Sequence, residues 1–135
     1  MKINISLKSL STTDIIADAN EAIKYLESNL ELLFKYNYIT RASIEKDEYG
    51  VNSLKVHIVN CAGRCSPKQI ANASLQLNFT MLLNSDLYFE FQGTLSDKAE
   101  QAGLHFETLT DVSVMAVSIR LMHWIIKNEA LIKSI

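Results

Sequence analysis

Apolar and polar residues alternate over the first eight positions. Met1, Ile3, Ile5 and Leu7 fall on one face and Lys2, Asn4, Ser6 and Lys8 on the other, the period of a half-buried strand. Ser11-Thr12-Thr13-Asp14 then supplies side-chain acceptors for the unpaired amides that open a helix. From there Ile16, Ala19, Ile23, Leu26, Leu30 and Leu33 recur at spacings of three and four, opposite Lys24, Glu27, Ser28, Glu31 and Lys35. This spacing predicts an amphipathic helix of about 22 residues, spanning roughly 13–36.

Four strand patterns follow. Tyr38, Thr40, Ala42 and Ile44 share one face of the first, which ends at Asp47-Glu48-Tyr49-Gly50. Leu54, Val56 and Ile58 share a face of the second. Leu75, Leu77, Phe79, Met81 and Leu83 mark the third, and beyond Asn84-Ser85-Asp86 the residues Leu87, Phe89, Phe91 and Leu95 mark the fourth. Residues 74–95 therefore read as an antiparallel hairpin. Ser66-Pro67-Lys68-Gln69 has the form of a capping box with proline at the first helical position, which predicts a short helical turn.

The C-terminal segment, starting at Thr108–Asp111, carries two helical stripes. Val112, Met115, Ala116, Ile119, Met122, Ile126 and Ala130 form one; Val114, Val117, Leu121, Trp124, Ile125 and Leu131 form the other. A helix apolar on most sides must be covered on more than one of them. Val114, Val117, Leu121, Trp124 and Leu131 are the expected homo-oligomer interface, with a two-fold dimer as the simplest closure. The competing arrangement folds helix 13–36 over that stripe within one chain. Together the elements predict a single α+β domain over residues 1–135. Its mostly antiparallel four- or five-stranded sheet carries two long helices in the order β-α-β-β-(short α)-β-β-α.

Composition narrows the function. The 135 residues hold 13 Lys+Arg against 15 Asp+Glu, a net charge of −2, so general nucleic-acid binding is not expected. No apolar run approaches the roughly 18 residues of a membrane span, and MKINISLKSLSTTD lacks a signal-peptide core. The expected location is the cytoplasm, and no cofactor is called for.

One cluster carries metal-ligating chemistry: His57, Cys61 and Cys65 place an imidazole and two thiols within nine residues. A second paired knuckle is absent, and inert thiols on a loop are the favoured reading. Arg64 and Lys68 flank the turn at Pro67 and make an anion-binding pair only if its helix N-terminus contributes amides. His105, Glu107 and His123 offer acid–base groups, but no nucleophile elbow accompanies them. His123, between Met122 and Trp124, is expected to be packed, and Arg120 to pair with an acidic residue. No catalytic residue is assigned, and a binding role is favoured over an enzyme.

From residue 73 onward, ASLQLNFTMLLNSDLYFEFQGTLS, the acidic connector DKAEQAG and SVMAVSIRLMHWIIKNEAL follow one another. This order resembles the second half of SecB-type export chaperones. Gly93-Thr94-Leu95 matches that family's strand-ending Gly step, and Arg120 stands where its helix motif has arginine; Val117-Ser118 replaces the Pro-Tyr pair. The resemblance implies a self-associating protein that binds polypeptide segments. The first 60 residues are similar to the opening of ribosome-hibernation factors, which implies a ribosome-associated alternative. Those factors lay a basic surface on RNA, whereas residues 1–50 here carry 6 Lys+Arg against 8 Asp+Glu. A small enzyme or metal-binding domain using the His57–Cys65 loop is the remaining alternative.

Overall fold

The computed structural model describes residues 2–3, 13–36, 38–46, 52–60, 75–84 and 88–135. In chain order the elements are β1 (Lys2–Ile3), α1 (Thr13–Leu33), β2 (Tyr38–Lys46), β3 (Asn52–Asn60), β4 (Leu75–Asn84), β5 (Phe89–Leu95), α2 (Asp97–Gln101), β6 (Leu109–Asp111), α3 (Val114–Lys127) and α4 (Glu129–Lys133). The strands form one sheet ordered β2-β3-β4-β5-β6, with β1 against β4. Every pairing is antiparallel. The predicted α+β class and the 74–95 hairpin are thus present, with Phe79 opposite Gly93 and Met81 opposite Phe91.

Alternation decides what the sheet buries. Ala42, Leu54, Val56, Ile58, Leu75, Leu77, Phe79, Met81 and Phe91 point to one face and form the core with both long helices. The α1 stripe contributes Ala19, Ala22, Leu26, Leu30 and Phe34, all buried, while Ile23 and Leu33 are partly covered. Three residues past the end of α1, Tyr36 takes the left-handed conformation (φ 46°) that usually falls to Gly or Asn.

Three departures from the sequence pattern have simple causes. Leu109–Asp111 adds a strand to the β5 edge, too short for alternation to reveal. The acidic connector winds into α2. The C-terminal helix starts at Val114, where the Ser113 hydroxyl accepts from the Ala116 amide at 3.1 Å. It breaks at Asn128, whose side chain donates to the Trp124 carbonyl at 2.8 Å.

The expected interface stripe needs correcting. Val114, Val117 and Leu121 are 1%, 0% and 0% exposed within a single chain, so they are core residues. Trp124 and Leu131 are partly buried against the same core. One apolar face of α1 suffices because α1 packs against both α3 and β2, with Ala19, Ala22, Leu26 and Leu30 fully buried in the shared core. The competing intramolecular arrangement is the one adopted. Of the other stripe Met122 is also fully buried and Met115 partly so, while Val112, Ile119 and Ile126 are left exposed.

Candidate functional site

The strand β5 outruns its neighbour. Its pairing with β6 ends at Phe91 opposite Leu109, yet β5 continues to Leu95. The Ser96 amide donates to the Gln76 carbonyl at 2.9 Å, which sets the phase of the β4–β5 ladder. In an antiparallel ladder hydrogen-bonded residues alternate. Gln92 and Thr94 therefore turn their backbone groups toward β4, whereas Gly93 and Leu95 turn theirs outward. Among the described residues no strand meets them there.

The chain after β5 bows away from this edge before returning to it. Helix α2 ends in a turn in which the Gly103 amide donates to the Glu100 carbonyl at 3.0 Å and the Leu104 amide to the Ala99 carbonyl at 3.1 Å. Gly103 has φ 98°, a conformation that side-chain-bearing residues rarely adopt. Between this excursion and β5 lies a cleft of about 600 Å³ lined by Gly93, Thr94, Leu95, Glu100, Gly103, Leu104, His105 and Phe106. Leu104 is buried, so the cleft has an apolar base beside an open backbone edge.

Three rings anchor the far wall. Phe106 lies 5.0 Å from Phe79 and 5.0 Å from Trp124, nearly perpendicular to the latter, and Phe79 lies 5.7 Å from Trp124. The Trp124 indole donates to the His105 carbonyl at 3.0 Å. Glycine at 93 makes room for this wall: a Cβ there would stand 2.6 Å from the Phe106 ring. A glycine inside a strand pattern signals such a close approach. The contributions of Leu104 and Phe106 leave no comparable mark in the sequence.

The opposite face of the sheet carries a polar cluster. His57 Nε2 lies 2.8 Å from Glu45 Oε2, and its Nδ1 faces Asn78 Oδ1. The Ser43 hydroxyl donates to the same Glu45 oxygen at 3.0 Å. Burial raises the Glu45 carboxyl, but hydrogen bonds from His57 and Ser43 and the charges of His57 and Arg41 outweigh it and hold the group below its ordinary value. A depressed carboxyl stabilises the fold above its unfolded pKa and loses that contribution as pH falls through the folded one. The urea midpoint should therefore drop on going from about pH 5 toward pH 3, and Glu45→Gln should flatten that dependence. An unchanged slope in Glu45→Gln would show that the cluster contributes nothing.

As to the residues singled out in the sequence, His57 sits mid-sheet with both ring nitrogens facing these acceptors. Cys61, Arg64, Cys65 and Lys68 lie outside the described residues, as do the turn at 47–50 and the helical turn at Pro67. Among the described residues no three His, Cys, Asp or Glu side chains cluster to hold a metal. His123, expected to be packed, is exposed, because it falls on the outward side of α3. Arg120 pairs as expected: its Nε donates to Asp111 at 2.7 Å, and with the Val112 amide it holds the Asp111 carboxyl below the usual range. His105 and Glu107 are 3.4 Å apart and exposed, a pairing of little energetic weight.

The fold and cleft together define an α+β domain with helices on one face of an antiparallel sheet and an incompletely paired edge. Comparison with family profiles, curated proteins and solved structures finds no match to this chain. No helix among the described residues is long and apolar enough to cross a membrane.

Proposed function

We propose that this chain is a non-enzymatic protein-binding module, a cytoplasmic chaperone of the SecB-like kind, that takes up extended polypeptide segments and self-associates through its C-terminal helix. The observation that carries the reading is the outward-facing backbone of Gly93 and Leu95 beside the cleft. An extended segment added there pairs main chain to main chain, which supplies affinity regardless of sequence. Side chains of the bound segment lie beside Leu95 and Phe106 and beside polar lining groups, so main-chain pairing rather than side-chain class sets the affinity. Glu100 is the one acidic side chain lining the cleft and disfavours acidic segments. The order of strand, connector and helix shared with SecB-type chaperones supports the same reading.

The test is a titration of the 135-residue chain against a fluorescein-labelled protein held unfolded by reduction and carboxymethylation. Binding should saturate in the micromolar range, as suits one short added strand, and the same labelled protein in its folded state should not compete. Equal binding of folded and unfolded forms, or none at about 1 mM, overturns the reading.

A further inference from the structure

We infer that two copies of this chain pack through antiparallel α3 helices, with Ile119 on the two-fold axis and Lys127 of each copy closing on Asp111 of the other. The inference rests on the self-association proposed above and replaces the residues first expected to mediate it.

The outward side of the C-terminal segment is symmetric about Ile119. Within α3, Met115 lies four residues before it and His123 and Ile126 four and seven after it, while Val112 lies in the extended segment just ahead of the helix cap at Ser113. Val112, Ile119 and Ile126 are 68%, 36% and 49% exposed, Met115 is half-buried against the core and His123 is exposed, so three apolar side chains stand in water along this side. Reversing the direction of a second copy about Ile119 sets Val112 against Ile126 and Met115 against His123, twice over. A parallel two-fold would instead carry Lys127 and Asp111 to opposite flanks and opposite ends of the pair, where they do not meet.

Charge supports the same register. Arg120 and Lys127 are seven residues apart and lie on one flank of the stripe. The Arg120–Asp111 bond fixes the Asp111 carboxylate on that flank, at the N-terminal end of the helix. A two-fold axis perpendicular to the helix keeps the flank and reverses the direction. Lys127, exposed and without an ion pair among the described residues, thereby arrives at the partner copy's Asp111. Asp111 already neutralises Arg120, so the two guanidinium groups near the axis do not meet as bare charges. Helix α3 has 14 residues and a length of about 21 Å, so this pairing lies at the small end of stable interfaces and implies micromolar association.

Sedimentation velocity of the full chain, from about 1 to 300 μM, separates the outcomes. The wild type should dimerise. Ile119→Glu should weaken the dimer at least about tenfold and Lys127→Glu about threefold or more, with melting temperatures near wild type because both positions are exposed. With Cys61 and Cys65 replaced by serine, mild oxidation should join Ile119→Cys to itself. The same treatment should join Val112→Cys to Ile126→Cys in a mixture, and neither of those alone. A wild type that stays monomeric overturns both the self-association and this inference. A dimer indifferent to Ile119→Glu and Lys127→Glu, or one in which Val112→Cys joins only to itself, overturns the register and leaves self-association standing.

Discussion

Leu121→Glu should unfold this chain, whereas Ile119→Glu, two residues away, should leave its stability almost unchanged. Leu121 is fully buried between the sheet and α1, with Val117 and Ile125 one turn to either side and equally buried. The core around it is hydrophobic apart from Ser118, and no buried side chain among the described residues is a cation. The few buried polar side chains among the described residues show the rule: Ser118, one turn from Leu121, donates to the Val114 carbonyl at 2.7 Å. Losing the leucine costs about 2–5 kcal/mol, and burying an unpaired carboxylate adds several more. The sum matches the 5–15 kcal/mol that typically holds a whole domain together. Exposed Ile119→Glu should stay within about 0.5 kcal/mol. Urea titration followed by circular dichroism checks both. A cooperative transition of wild-type midpoint in Leu121→Glu would mean that the helix does not face the core.

Phe79→Ala should be the most damaging truncation in the sheet. Phe79 is fully buried and touches both Phe106 and Trp124, so its loss empties a ring-sized space under the wall of the cleft. The expected cost is about 3–5 kcal/mol, including the lost edge-to-face contacts. Trp124 is the sole tryptophan, so its emission reports on this spot directly. The native emission of Phe79→Ala should shift to longer wavelength as water reaches the indole, and the urea midpoint should fall. A loss under about 1 kcal/mol with unchanged emission would contradict the ring cluster.

What could be read from the chain alone follows from how each feature is encoded. Periodicity carries burial, so α1, the inward faces of β2 to β5 and the predicted class are legible from Leu26, Leu30, Leu54, Val56, Leu77 and Phe79. Periodicity does not say which neighbour covers a face. Both stripes of the C-terminal helix are apolar, and the pattern of Val114, Val117 and Leu121 is equally consistent with a dimer or with α1 above them. Three-residue β6 is too short to announce itself. The cleft arises because one strand stops four residues before its neighbour does, a property of pairing between distant segments. Only Gly93, a glycine in a strand, hints at it locally. The Glu45–His57–Asn78 cluster joins three strands and is invisible in the chain: register sets His57 opposite Asn78, and Glu45, opposite Ser53, reaches it diagonally.

The central claim is that extended polypeptide pairs with the free edge of β5, and amide hydrogen exchange measured residue by residue tests it most directly. In the free chain the Gly93 and Leu95 amides should exchange quickly, while Thr94, turned toward Asn78, is protected. Saturation with the carboxymethylated probe protein should slow Gly93 and Leu95 and leave Thr94 as it was. If the probe binds and both edge amides still exchange at their free rate, the polypeptide goes elsewhere and the account of this edge is wrong.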